Sequence, residues 1–289
     1  MDRSTLTREI PYMGETTIRE YLDEVIPLLR EEKAFIESEM KTIFFIGDIH
    51  GDFETTKAII DEFFEGGLLV FLGDYIDREP MKWGSIYTIT YLLILKSLYP
   101  KNIVLLKGNH ECNYIIPCYP YEFERELREK FGSSGLHDKF VEVFSNLPVI
   151  FKGYNAIVAH GGILKDADLN TLKNLDKNDV DALSTLVWGD PVISPVYRGI
   201  GERFNEKDLD IFLRKTDSSV FIRGHDPHLL GISIYNDRCL TIFSSRRYMY
   251  MGNKGILVAE IDKKTKHVSD INLKDVSSGR WMPYKVRKL

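Results

Sequence analysis

The 289-residue sequence predicts an α/β sandwich: two central mixed β-sheets packed together and flanked by helices. Three observations carry that expectation. Residues 42–109 alternate apolar runs with amphipathic ones, the pattern of parallel strands joined by crossover helices. From Ser219 onward, short strand-like segments dominate. The composition, 44% hydrophobic and 28% charged, supplies a sizeable core.

The elements run in chain order. Residues 17–39, TIREYLDEVIPLLREEKAFIESE, place Ile18, Tyr21, Leu22, Val25, Ile26, Leu28 and Leu29 at helical spacing, and Pro27 is expected to kink or divide that helix. TIFFIGD reads as a buried strand, TTKAIIDEFF as a helix, LLVFLGD as a second strand, SIYTITYLLILKSLY as a helix and NIVLLKGN as a third strand. EFERELREKF and LHDKFVEVFSNL are helical, and VIFKGYNAIVAHGG reads as two strands around a Gly-Tyr-Asn turn. VFIRGH, GISIY, CLTIFSS and GILVAEID are the late strands. With no internal repeat or low-complexity linker, a single domain over residues 1–289 is expected. It comprises a helical segment at 1–41, a core at about 42–262 and a tail at 263–289.

Composition narrows the function. A net charge of −5 leaves no basic footprint for nucleic acid, and no apolar stretch reaches the ~20 residues that span a membrane. The polar N-terminus has no signal-peptide core, and three cysteines are too few for a disulfide scaffold, so the reading is cytoplasmic. Cys112 is expected to be a small buried side chain.

The three early strands end alike, in IGDIHG, LGDYID and LKGNHE. Ligands of open α/β sheets sit beyond the carboxyl ends of the strands, so Asp48, His50, Asp74, Asp77, Asn109 and His110 should converge on one edge. Each alone reads as a turn or cap residue, but caps do not call for two histidines. His160 in AHGG and His225 in RGHDP also come directly after apolar strands, whereas His137, His228 and His267 fall outside the pattern and read as surface or core. This mixed N/O set suits Mn²⁺, Fe²⁺ or Zn²⁺ better than Ca²⁺. It is large enough for two cations with Asp74 shared between them. Two such cations acidify a shared water and clamp an in-line displacement at phosphorus. Arg78 and Arg198 are the candidate phosphate-binding cations.

GDIHG, GDYIDR, GNHE, HGG and RGH, in this order, resemble the phosphoprotein phosphatase family of serine/threonine phosphatases, within the calcineurin-like metallophosphoesterases. The resemblance covers about residues 42–262 and includes LVWGDP and YRGIGERFNEKDLDIFL. It implies a calcineurin-like metallophosphoesterase fold, two divalent metal ions and phosphoprotein substrates attacked directly by a hydroxide shared between the metals. It places one metal on Asp48, His50 and Asp74, and the other on Asp74, Asn109, His160 and His225. Arg78, Asn109, Arg198 and Tyr248 would bind the phosphate, and His110, oriented by Asp77, would protonate the leaving alkoxide. The chain departs from the family at Glu79, at Lys107 and in the loop SSRRYMYM, where Arg246 and Arg247 precede Tyr248. Those two arginines read either as a solvated loop or as an anion-binding rim. The basic tail with Trp281 and Tyr284 is expected to dock on the chain's own surface. The alternatives are a small-molecule or dinucleoside polyphosphate phosphoesterase on the same fold, a non-catalytic scaffold, and a two-metal nuclease, which the charge disfavours.

Overall fold

The computed structural model describes residues 3–39, 42–251 and 255–289. Residues 1–2 and 40–41 of the expected N-terminal segment lie outside that description. The chain runs α1 (Arg3–Glu9), α2 (Glu15–Glu31), β1 (Phe35–Glu37), β2 (Ile43–Ile46), α3 (Phe53–Phe63), β3 (Leu68–Phe71), α4 (Gly84–Leu98), β4 (Ile103–Leu105), α5 (Phe123–Phe131) and α6 (His137–Asn146). It continues with β5 (Ile150–Gly153), β6 (Ala156–Ala159), α7 (Leu169–Lys173), α8 (Val180–Trp188), α9 (Glu206–Lys215), β7 (Val220–Arg223), β8 (Ile232–Ile234), β9 (Cys239–Thr241), β10 (Leu257–Ile261), β11 (Asn272–Asp275), β12 (Met282–Pro283) and β13 (Arg287–Lys288).

Two sheets result, ordered β1-β5-β6-β7-β9-β8-β13 and β12-β11-β10-β2-β3-β4. The early strands β2, β3 and β4 pair in parallel, and β10 adds antiparallel to β2. The strands alternate faces, as period-two geometry requires. Ile43, Phe45, Val70 and Val104 point to the other sheet and meet Phe151, Val158, Ile222 and Leu240. Phe44, Ile46, Leu69 and Phe71 point to the helical layer of α2, α3 and α4. The outer face of the second sheet, with Ile157 and Phe221, is covered by Leu183 and Leu186 of α8 and Phe212 of α9.

Pro27 does not divide α2, which runs through it. A proline inside a helix costs about 3 kcal/mol, but each fully buried Leu, Ile or Val contributes roughly 1.5–3 kcal/mol. Ile18, Leu22, Val25, Ile26 and Leu29 are all buried on a face packed against α4 and α6, which outweighs the lost bond. The tail docks on the body. β12 pairs with β11, β13 pairs in parallel with β8, and the Trp281 ring stacks edge-on against Phe63 at 4.7 Å. Among the described residues no helix is long and apolar enough to cross a membrane.

Candidate metal centre and active site

The parallel register of β2, β3 and β4 brings Asp48, Asp74 and Asn109 to one edge of their sheet, and β6 and β7 deliver His160 and His225 from the facing sheet. All five side chains are buried, as are His50, Asp77 and His110. The backbone is strained there. His50, Asp74, Asp77, Arg78 and His225 have φ between 45° and 70°, a region that L-residues other than glycine rarely enter. Each such residue costs about 1–3 kcal/mol and persists only where surrounding bonds hold it. Here they do. Ile49 and His50 donate their amides to the Asp74 carbonyl at 3.1 and 2.8 Å. Glu111 accepts from the amides of Asp74, Tyr75 and Gly108 at 2.8, 2.9 and 3.0 Å. Two glycines permit the close approach: a Cβ at Gly108 would lie 2.3 Å from Asp74 Oδ1, and one at Gly224 2.1 Å from Asp48 Oδ1.

Two donor groups form around Asp74. His50 Nε2 lies 3.4 Å from Asp74 Oδ2 and 3.9 Å from Asp48 Oδ2. His160 Nε2 lies 3.4 Å from Asp74 Oδ1 and 3.0 Å from Asn109 Oδ1, and His225 Nδ1 lies 2.9 Å from that same amide oxygen. The remote Nδ1 atoms of His50 and His160 donate to the carbonyls of Ile76 and Leu72 at 2.9 and 3.0 Å. In the neutral imidazoles this fixes the tautomer and turns the Nε2 lone pairs toward oxygen lone pairs. His50 Nε2 and His225 Nε2 have no hydrogen-bond partner. Burial and the Asp74 charge push the Asp48 and Glu111 carboxyls up to about 7. Burial also holds His50 and His225 well below the usual histidine value. Lone pairs facing lone pairs, and buried carboxylates short of positive charge, are what divalent cations relieve, so the residues fit metal binding.

His110 stands beside this cluster. Its Nδ1 lies 2.5 Å from Asp77 Oδ2, while its Nε2 is buried without a partner. Burial opposes its imidazolium, but the Asp74 charge and the Asp77 bond outweigh burial and hold it well above the usual value. Asp77 is itself fixed, accepting from the Glu122 amide at 2.7 Å and donating its own amide to Ser85 Oγ at 3.0 Å. Glu79, where the chain leaves the family pattern, accepts from that Ser85 hydroxyl at 3.2 Å. Lys107 is buried among Tyr114 Oη, the Ser145 and Lys177 carbonyls and Asn178 Oδ1, and burial pulls its ammonium down to about 8. Cys112 is fully buried, its thiol pushed up by burial.

The cations are built in from further away. Arg78 donates to Tyr248 Oη at 2.9 Å, and the Tyr248 ring lies 5.6 Å from that of His50. Arg198 donates to Asp190 Oδ2 at 3.0 Å and to the His225 carbonyl at 3.2 Å. Asp190 also accepts from the fully buried Arg223 at 2.7 Å. Sequence alone assigned Asp190 no role, although the LVWGDP segment that holds it stood out. Breaking a buried pair costs about 3–5 kcal/mol, because the surviving charge is left unpaired. Asp190→Ala should therefore lower stability by about that much in urea unfolding and raise KM through the loosened Arg198.

Arg246 corrects an expectation. It is not part of a cationic rim: its Nε and Nη2 bind Asp52 Oδ1 at 3.0 and 2.6 Å, and its amide binds Asp52 Oδ2 at 2.8 Å. Asp52 is a fully buried carboxylate that caps α3. Arg247 does line the cavity over the site, a space of about 340 Å³ shared with Asp74, Arg78, Asn109, Arg198 and His225. His228, read from sequence as surface or core, lines the same cavity.

Comparison with known proteins agrees with this geometry. Residues 41–229 match the family model of the calcineurin-like phosphoesterases. The chain is 32% identical over 245 residues to the serine/threonine-protein phosphatase 6 catalytic subunit of Caenorhabditis elegans, covering 78% of this chain and 71% of that protein. The chain belongs to the phosphoprotein phosphatase family, within the calcineurin-like phosphoesterases. The phosphatase fold extends over most of its length. A protein serine/threonine phosphatase from Saccharomyces cerevisiae, similar to human phosphatase PP5, superposes with a TM-score of 0.77 at 24% identity, covering 90% of this chain and 89% of that one. A cold-active protein-tyrosine phosphatase of a Shewanella species superposes at 0.58 with 16% identity, covering 90% and 84%. This phosphatase is accordingly a metal-dependent hydrolase, with His and Asp groups arranged to take divalent ions.

Proposed function

We propose that this phosphatase removes phosphate from phosphoserine and phosphothreonine in proteins, using Asp48, His50 and Asp74 to hold one divalent cation and Asp74, Asn109, His160 and His225 to hold a second. The N/O donor set, without thiolates, favours Mn²⁺, Fe²⁺ or Zn²⁺. Bound cations would acidify a water and offset the charge of the phosphoryl oxygens. The chain's own residues do the rest. Arg78, steadied by Tyr248, and Arg198, steadied by Asp190, grip the outer oxygens of the phosphate. Asn109 Oδ1 faces two histidines, which leaves its Nδ2 to donate to a phosphate oxygen. His110 gives the proton on Nε2 to the leaving oxygen, while Asp77 orients the ring through Nδ1 and stabilises its charged form.

The observation that carries this reading is the Asp77–His110 pair with its free Nε2. An alkoxide leaving group is strongly basic and needs such an acid. The proposal takes residues 1–289 as one catalytic unit acting in the cytoplasm on phosphoproteins, with neither nucleic acid nor membrane as partner. The test is metal-stripped protein reconstituted separately with Mn²⁺, Fe²⁺ and Zn²⁺. Each form is assayed on phosphoserine, phosphothreonine and phosphotyrosine peptides and on dinucleoside polyphosphates. Turnover of phosphoserine and phosphothreonine peptides is expected. Cleavage of the nucleotides alone would move the function to the small-molecule alternative.

A further inference from the structure

We infer that Arg247, with His228, forms a second anion subsite that favours substrates bearing a negative group beside the scissile phosphate. The inference rests on the phosphatase reading above and assigns a preference to the same cavity.

Three arginines reach this cavity, and two are already committed. Arg78 is bound to Tyr248, and Arg198 to Asp190 and the His225 carbonyl. Both are tied at fixed positions, which suits the phosphate being cleaved. Arg247 differs: among the described residues its side chain makes no ion pair, and the residue is exposed and lines the cavity. Its backbone is nevertheless held, because the Arg247 amide donates to Ser245 Oγ at 3.2 Å and the preceding Arg246 is clasped by the buried Asp52. The loop is pinned and the cation it carries is spare. His228 faces the same space. Its ring is half exposed, and its Nδ1 lies 3.0 Å from Asp226 Oδ1, which orients Nε2 away from that carboxylate.

Volume and charge agree. A cavity of about 340 Å³ lies in the range that holds whole small ligands, more than one tetrahedral phosphate fills. The protein as a whole carries −5, so an acidic segment gains from a local cationic cleft that its surroundings would not supply. The shared ligand chemistry is an anionic oxygen group next to the phosphorylated residue, either the carboxylate of Asp or Glu or a second phosphate.

The test compares kcat/KM for phosphoserine peptides flanked by Asp, by a second phosphoserine, or by neutral residues, in wild type and in Arg247→Gln and Arg247→Lys. An exposed cation is worth about two- to fivefold here. Wild type should favour the acidic peptides by about that factor at low salt, Arg247→Gln should bring the ratio near one, and Arg247→Lys should keep most of it. High salt should erase the preference. A larger gain for the doubly phosphorylated peptide than for the Asp peptide assigns the subsite to phosphate, and equal gains assign it to carboxylate. A wild-type ratio near one at low salt, or a ratio that Arg247→Gln leaves unchanged, overturns the inference. The same peptides are also used as competitors of p-nitrophenyl phosphate hydrolysis. If no phosphopeptide is turned over, the protein-substrate reading fails, while the ratio of inhibition constants still decides for or against the subsite.

Discussion

Asp74→Asn protein is expected to fold, bind little metal and lose turnover on every substrate by on the order of 10³ or more, since each bound cation supplies several kcal/mol of charge stabilisation. Asp74 is the residue both donor groups share, with Oδ2 toward His50 and Oδ1 toward His160. Asparagine keeps the shape and removes the charge. It also tolerates the left-handed backbone at φ 56° better than most residues, and its Oδ1 still accepts the His110 amide that Asp74 Oδ1 accepts at 3.1 Å. The Asp74 charge raises Asp48 and Glu111, but it also supports the His110 and His160 imidazoliums, and His160, His110 and His50 hold the Asp74 carboxyl well below the usual carboxylate range, so at neutral pH the metal-free variant should be less stable than metal-free wild type. Metal content by elemental analysis, turnover and urea unfolding check these outcomes together. Two bound metals with full turnover in the variant would end the shared-carboxylate assignment.

His110→Asn should separate the leaving groups. It leaves the Asp74-centred donors in place, so metal content should hold. Loss of a positioned acid costs about 10²–10⁴ in rate where the departing oxygen needs a proton. Phosphoserine peptides should show that loss in full. p-Nitrophenyl phosphate, whose leaving group departs without protonation, should lose much less. Single-turnover rates on both substrates, with metal content measured alongside, make the comparison. Equal losses would mean that His110 acts by fixing the loop after β4 and not as the acid.

The convergence of Asp48, Asp74 and Asn109 on one sheet edge was legible in the sequence because its grammar is local. An apolar run that ends in Gly-Asp or Gly-Asn, with a histidine close behind in two of the three cases, announces both a buried strand and candidate ligands at its carboxyl end. Three such runs in a crossover pattern must end on one side. His160 and His225 were found by the same signal, although they arrive from the other sheet. The features that stayed hidden depend on partners remote in sequence. Arg246 and Asp52 are separated by 194 positions, and nothing in SSRRYMYM says which arginine meets a buried carboxylate. Asp190 drew no role from the sequence, because Arg198 and Arg223 come to share it only in the fold. The positive φ values at His50 and Asp77 are held by bonds across the turns rather than by residue type. Pro27 does not divide its helix because helix propensity is weaker than the burial of five apolar neighbours. β1, β12 and β13 are edge strands of two or three residues, too short for a periodic signal.

β2 has one neighbour close by in sequence, β3, and one very far away: Phe44 stands opposite Glu260 of β10. Synthesis is vectorial, at about 5–20 residues per second, so β2 leaves the ribosome roughly 10–40 s before the strand that covers its other edge. For that interval the nascent chain presents an apolar strand with unpaired amides and carbonyls, the surface that recruits a chaperone or another unfinished chain. The first two proposed ligands, Asp48 and His50, emerge with it, while His225 comes after nearly all the intervening fold. On the proposed assignment the three donors of one cation, Asp48, His50 and Asp74, are made within the first 74 residues, whereas the set that needs His225 is completed only late, so the two cations would load at different stages of synthesis.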